Sequence, residues 1–243
     1  MRLQWSIFVL AVLGTVSSAT NQDSPLDLPL SPGPIVAQGI TLSKALDEIG
    51  AMARHGYVLF GVEQRLRKHR PPKVNLNLRA GSTLRDALGQ VARQLPDYKF
   101  RIVSRHLINV YPAGANHDPD NVLNTRVARL DLVVKPGSIF SHPQDFIPEL
   151  NERLHPEAAG AQPSGRIGEV MEGTEQSVTL HLTDVTVREI LNAVTEEWLK
   201  SAEGAQMPVG WLYSYDPDAA PPSEKHAWGF QFGLPDDWKK WRN

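Results

Sequence analysis

Few residues of this chain have the types and spacing that catalysis or metal binding requires. The best metal candidate joins Glu152 and His155, three residues apart near the end of a predicted helix, with His142 and Asp145. That set lacks the HExxH spacing of a zinc protease, and solvated surface side chains are the simpler interpretation. The chain also contains no cysteine that could act as a nucleophile or thiolate ligand. The sequence therefore predicts a protein that is not an enzyme and that has no metal or cofactor.

A cationic loop offers binding chemistry instead. The segment RLRKHRPPK contains five cations and two prolines; the cations are Arg65, Arg67, Lys68, Arg70 and Lys73. Such a cluster attracts phosphates and carboxylates, and in a cytosolic protein it would suggest nucleic acid. Predicted export argues against nucleic acid and favours lipid headgroups, a cell-wall polymer or an acidic protein surface. The alternative is a solvated loop without a ligand.

Two aromatic runs form the second candidate site. Trp211, Tyr213 and Tyr215 alternate along one predicted strand, and Trp228 opens a similar run on the next. Alternation places each run on one strand face, and a hairpin would bring the two runs together. The four residues could form an exposed platform that stacks on a sugar or a peptide. Packing in the core is the other interpretation.

A repeated phrase predicts the elements that carry these residues. VNLNLRAGSTLRDALGQVARQL, at positions 74–95, couples an alternating strand to an amphipathic helix. VTLHLTDVTVREILNAVTEEW repeats it at positions 178–198. We therefore predict an α+β fold of two tandem small βαββαββ-type modules, each a small sheet packed against two helices. The second module is divergent and has a long insertion at residues 157–176.

Composition and the positions of proline- and glycine-rich stretches divide the chain into segments. Residues 1–19 read as a cleaved signal peptide, because an apolar stretch too short to span a bilayer is followed by Ser17, Ser18 and Ala19. Residues 20–34 read as a disordered leader and 113–123 as a linker. The modules would occupy residues 35–112 and 124–233, with a Trp-containing tail at 234–243. The protein is expected to be periplasmic or secreted from a bacterium, without a stable membrane span.

Charge separates the two halves. Residues 35–113 carry 13 Lys and Arg against 5 Asp and Glu, a net +8, whereas residues 114–243 carry 11 against 20, a net −9. Opposite charges attract within one chain or between chains, and salt weakens the attraction. Self-association is therefore one expected mode of interaction.

The first half resembles a known family. Its phrases TLSKALDEIG, VNLNLRAGSTLRDALGQV and YKFRIVSRHLINVYP resemble the secretin and TonB short N-terminal domain. The resemblance implies a periplasmic α/β module that builds rings in secretins or contacts regulatory partners ahead of TonB-dependent receptors. The expected function is a non-catalytic interaction or scaffold protein in assembly of a cell-envelope complex. The alternative is a glycan or small-molecule binding protein that uses the aromatic runs.

Overall fold

The structure, a computed structural model, describes residues 25–30, 33–53, 58–134, 143–155, 178–200, 209–219 and 225–232. Over these residues it has an α+β architecture of four helices and three sheets. In chain order the elements are β1 Ile35–Thr41, α1 Leu42–Met52, β2 Leu59–Arg65, β3 Lys73–Leu78, α2 Leu84–Gln94, β4 Tyr98–Ile102, β5 Leu107–Pro112, β6 Arg126–Val134, α3 Pro148–Leu154, β7 Val178–Thr186, α4 Val187–Lys200, β8 Val209–Tyr215 and β9 His226–Phe232.

The largest sheet combines strands from both halves of the sequence. Its strand order is β4-β5-β2-β8-β9, with β2 parallel to both β5 and β8 and the outer strands antiparallel to their neighbours. Strand β2 therefore lies between a hairpin of the first half and a hairpin of the second. The carboxyl ends of the three parallel strands meet at one end of the sheet.

Strand β2 is buried on both faces, and each face meets a different core. Phe60 and Val62 belong to a first core with α1, α2 and β3. The opposite face meets a second core, in which Trp211 packs with α4 and β6. A Cβ at Gly61 would lie only 2.3 Å from the Trp211 ring. This close approach is why the second face requires glycine at that position.

Two antiparallel ribbons complete the fold. Strand β1 pairs with β3, and β6 pairs with β7. The register of β1 shifts between Ala37 and Ile40, where Gly39 has a φ of 62° and its N–H donates to Asn75 Oδ1 at 2.7 Å. A glycine bulge of this kind bends an edge strand.

Both copies of the repeated phrase form a strand followed by a helix, and their helix starts are equivalent. In α2, Thr83 and Asp86 form a reciprocal capping box, and the hydrogen bonds from Thr83 lower the pKa of the Asp86 carboxyl. In α4, the Thr186 N–H donates to Glu189 Oε2 at 2.7 Å while the Glu189 N–H donates to Thr186 Oγ1. The two copies of the phrase therefore share their helix N-caps as well as their apolar faces.

Residues 25–30 differ from the expectation of a disordered leader. Leu30 is 2% exposed in the first core, and Leu26 and Leu28 pack against it. The Leu30 N–H donates to the Ser82 carbonyl, and the Leu84 N–H donates to the Leu28 carbonyl. The alternating leucines of PLDLPL thus supply packing that the Pro and Asp content conceals. The other predicted terminal segments and the 157–176 insertion lie outside the described residues.

A polar cluster of two buried and two half-buried residues, which we call the clasp, joins the two halves. It consists of Glu63 on β2, Asn121 and Asn124 before β6, and Arg188 on α4. Arg188 donates to Glu63 Oε2 at 2.7 Å and to Asn124 Oδ1 at 2.6 Å, and Asn121 donates to Glu63 Oε1 at 2.6 Å. The segment predicted as a linker, 113–123, is thus folded into short 3-10 turns against the sheet.

Candidate functional site

The cationic loop forms a tight turn after β2, which we call the basic turn and define as residues 67–70. The Arg67 N–H donates to the Arg70 carbonyl and the Arg70 N–H to the Arg67 carbonyl, at 3.0 and 3.1 Å. Lys68 and His69 between them have φ values of 51° and 61°. The left-handed region costs non-glycine residues on the order of 1 kcal/mol each, so other contacts must hold this turn.

Those contacts come from the β8–β9 turn of the second half. The Lys68 N–H donates to Asp218 Oδ2 at 3.1 Å, and His69 Nδ1 lies 2.6 Å from Asp216 Oδ2. The Asp216 side chain is 8% exposed, whereas that of His69 is 65% exposed. A buried carboxylate therefore anchors the tip of a solvent-facing turn.

The structure brings three of the five predicted anionic-partner residues together. Arg67, Lys68 and Arg70 occupy the basic turn, and all three are exposed. Arg65 and Lys73, also exposed, lie at the end of β2 and the start of β3. Arg67 has an acidic neighbour, Asp97, at 3.7 Å, but both side chains are largely exposed. Such a surface pair is weak, so the guanidinium stays available to a partner.

The chain just before the basic turn contacts β4, one of the two edge strands of the large sheet. The Arg65 N–H donates to the Tyr98 hydroxyl at 3.2 Å, and Tyr98 is the first residue of β4. Burial raises the pKa of Tyr98. Arg65, two residues before the basic turn, and Asp97, beside Arg67, thus place the turn next to the start of β4.

The predicted aromatic platform is buried where its side chains are described. Trp211 is 1% exposed and donates from Nε1 to Asn192 Oδ1 at 2.9 Å, and Tyr213 is 2% exposed. Both residues belong to the second core. Core packing was the alternative to a ligand-binding platform in the sequence analysis. Tyr215 is half-buried, and the side chain of Trp228 lies outside the described part. Trp211 and Tyr213 are therefore not available for stacking on a ligand.

A tyrosine–histidine pair lies behind this aromatic core. His226 Nδ1 is 2.8 Å from the Tyr213 hydroxyl, and the His226 ring also contacts Tyr215 at 5.4 Å between ring centroids. Burial raises the pKa of Tyr213 and lowers that of His226, which favours the neutral form of both. The pair lets the Tyr213 hydroxyl and the His226 ring hydrogen-bond to each other, and no local motif in the sequence predicts it.

No family model, curated protein or solved structure matches this chain. Within the described ranges, no three His, Asp or Glu side chains lie close enough together to hold a metal ion. Glu152 and His155 lie at the end of α3, while His142 is outside the described residues. Each helix in those ranges is too short or too polar to span a bilayer.

Sequence reasoning missed the acidic anchors of the basic turn. Asp216 and Asp218 are about 150 positions from the turn, since His69 and Asp216 are separated by 147 and Lys68 and Asp218 by 150. The segment SYDPDA does carry a local turn signal, because Asp and Pro favour Asx turns. The Asp218 N–H indeed donates to Asp216 Oδ1 at 3.0 Å. The turn was readable from the sequence, but its contact with the basic turn was not.

Proposed function

We propose that this chain is an exported, non-catalytic interaction protein that acts in assembly of a cell-envelope complex. It would contact an anionic partner through the basic turn. The observation that carries the proposal is an anchored cationic turn. Arg67, Lys68 and Arg70 are exposed, while Asp218 accepts from the Lys68 N–H and Asp216 contacts the His69 ring.

Anchoring is what distinguishes this turn from a solvated loop. A flexible loop loses conformational entropy when it binds, whereas a turn already fixed in its bound shape loses less. Two non-glycine residues are held in the left-handed region, and such strain tends to occur at binding or active sites. A partner with clustered phosphates or carboxylates would gain from three preorganised cations.

The tandem-module description and the family resemblance belong to this proposal. Each half supplies a strand-then-helix phrase and an antiparallel ribbon. Modules of the secretin and TonB short N-terminal kind would act by protein contacts, in line with a surface that binds without chemistry. The periplasm or the exterior of a bacterium is the proposed location, with an acidic envelope protein or polymer as partner. Head-to-tail self-association of the basic and acidic halves is the remaining mode.

Site-specific cross-linking in the producing cells tests this proposal. A photoreactive residue is placed at Lys68, and a matched one at Lys44, which is an exposed cation on α1. Illumination is expected to give a discrete adduct from position 68 and none from position 44. The adduct should disappear when Arg67 and Arg70 are changed to Glu.

The same experiment contains its contradiction. Equal adducts from positions 68 and 44 would mean that the basic turn has no special contact. An adduct that survives Arg67→Glu/Arg70→Glu would mean that the cations do not bind the partner. A matched variant, Arg79→Glu/Arg93→Glu, changes the net charge equally at two exposed residues outside the basic turn. It should leave the position-68 adduct unchanged.

A further inference from the structure

Two strand edges of this fold are treated differently. The edge of β3 that faces away from β1 is covered by the side-chain amides of two glutamines on α2. Gln90 accepts from the Asn77 N–H at 2.9 Å and donates to the Asn77 carbonyl at 2.6 Å. Gln94 does the same for Asn75, at 2.8 Å in both directions. The amides replace a neighbouring strand, so this edge is closed to other chains.

Among the described residues, none provides such a cover for the outer edge of β4. The β4–β5 hairpin closes with the Val103 N–H donating to the Leu107 carbonyl at 2.9 Å, and the Ala113 N–H donates to the Asp97 carbonyl. In an antiparallel pair, alternate residues direct their backbone groups to opposite edges. Phe100 and Ile102 therefore direct theirs away from β5. Within the described part of the chain, no group bonds to them.

The side chains along β4 separate into two faces. Lys99 and Arg101 are exposed on one face. On the other, Phe100 packs in part against the first core, and Ile102 is 43% exposed. Val103, just after the strand, is 36% exposed. Cations on an edge strand often prevent pairing with other strands. Exposed apolar side chains at the same edge favour pairing instead, so prevention alone does not explain this edge.

We propose that β4 binds an extended segment of a partner protein by strand addition, and that this segment alternates acidic and apolar residues. The added strand would bond to the N–H and carbonyl groups of Phe100 and Ile102. Its carboxylates would lie beside Lys99 and Arg101, and its apolar side chains beside Ile102. Strand β4 begins next to the basic turn, so the same partner could contact both. The inference therefore rests on the proposed function, and it adds that the partner binds as an extended strand.

Amide exchange of the mature protein tests the pairing directly. The probe is a blocked nonapeptide in which Glu and Val alternate, compared with one in which Lys replaces Glu. Near saturation, the acidic peptide should slow exchange of the Phe100 and Ile102 amides by about tenfold. The Lys99 and Arg101 amides already face β5 and should change little. Binding without protection of the two outward amides would overturn the inference, as would equal protection by the Lys peptide.

Two variants separate the backbone from the side chain at position 102. Ile102→Pro removes the outward N–H, which an edge strand tolerates because that group does not bond to β5. Ile102→Ala removes the side chain and keeps the N–H. The Pro variant should bind the acidic peptide about fivefold more weakly than the Ala variant, as expected for one hydrogen bond. Equal affinities would count against strand addition.

A third variant does not depend on the fold tolerating proline. Lys99→Glu/Arg101→Glu changes exposed side chains only, and it should abolish binding of the acidic peptide. Unchanged binding would overturn the assignment of an acidic segment. Failure here is distinguishable from failure of the proposed function, because Arg67→Glu/Arg70→Glu tests the turn while leaving β4 intact.

Discussion

Removal of Arg188 from the clasp is the sharpest test of how the two halves are joined. Glu63 is 5% exposed and Arg188 7% exposed, and their charged atoms lie 2.7 Å apart. Breaking a buried ion pair leaves one charge without compensation, at a cost of about 3–5 kcal/mol. We therefore expect Arg188→Met to lower the free energy of unfolding by roughly that amount at pH 7.

The paired replacement should behave differently. Glu63→Leu with Arg188→Met removes both charges, and such replacements of buried pairs are often close to neutral. The double variant also loses the hydrogen bonds that Asn121 donates to Glu63 and that Asn124 accepts from Arg188, at a cost of about 1–3 kcal/mol. It should therefore be no less stable than Arg188→Met alone. This non-additivity is the signature of a coupled pair.

Equilibrium urea unfolding, followed by fluorescence of the buried Trp211 and Trp198, measures these differences. Arg129→Met is the matched control, since Arg129 is 73% exposed in a surface pair, and its midpoint should match that of the wild type. A loss below about 1 kcal/mol for Arg188→Met, or additive losses in the double variant, would refute the reasoning.

The pH dependence of the Arg188→Met variant adds an independent check. Burial raises the pKa of the Glu63 carboxyl, and the guanidinium opposes that rise. Without the guanidinium, the folded protein should bind a proton at Glu63 more tightly than the unfolded chain. Because the pKa is higher in the folded state, stability is lost as pH rises through that pKa. The variant's deficit should thus be smaller at pH 5 than at pH 8.

Three further predictions concern individual sites. Burial raises the pKa of Asp47 to about 7, above its unfolded value, so the free energy of unfolding should fall as pH rises from 4 to 7. Asp47→Asn should flatten that fall and stabilise the protein at pH 8 by about 1–2 kcal/mol, measured by urea unfolding. Gly61→Ala should destabilise by about 1–3 kcal/mol through overpacking, whereas Gly89→Ala, with only a 3.7 Å neighbour in a helix, should stabilise by about 0.5–1 kcal/mol; equal thermal midpoints would contradict this. Gln90→Ala/Gln94→Ala should expose the β3 edge and speed exchange of the Asn75 and Asn77 amides. If the variant stays monomeric and these exchange rates are unchanged, the glutamine amides do not protect this edge.

Local patterns in the sequence predicted the elements that depend on local physics. The strand and helix of both copies of the repeated phrase are present, and so is the β8–β9 hairpin. Each arises from periodicity, capping or alternation within about twenty residues. Strand β2 is different, because its second half consists of the polar residues Glu63, Gln64 and Arg65. Its polar end pairs with β8, and local sequence carries no signal for that pairing.

Long-range pairing accounts for what the sequence did not predict. Glu63 and Arg188 are 125 positions apart, and nothing near either residue specifies the other. The cationic residues of the basic turn were identified from composition, but the left-handed backbone at Lys68 and His69 depends on Asp216 and Asp218. The burial of Trp211 likewise follows from α4 packing over the sheet. The sequence therefore predicted which residues could bind a partner, whereas the backbone conformation and burial of those residues depend on tertiary contacts.

The salt dependence of partner binding tests the central claim most directly. The partner captured at position 68 is purified and titrated with the mature protein at low and high salt, alongside Arg67→Glu/Arg70→Glu. We predict that wild-type affinity falls as salt rises and that the variant binds at least about tenfold more weakly at low salt. Equal affinities of the variant and the wild type at low salt would contradict the claim that the basic turn is the binding surface.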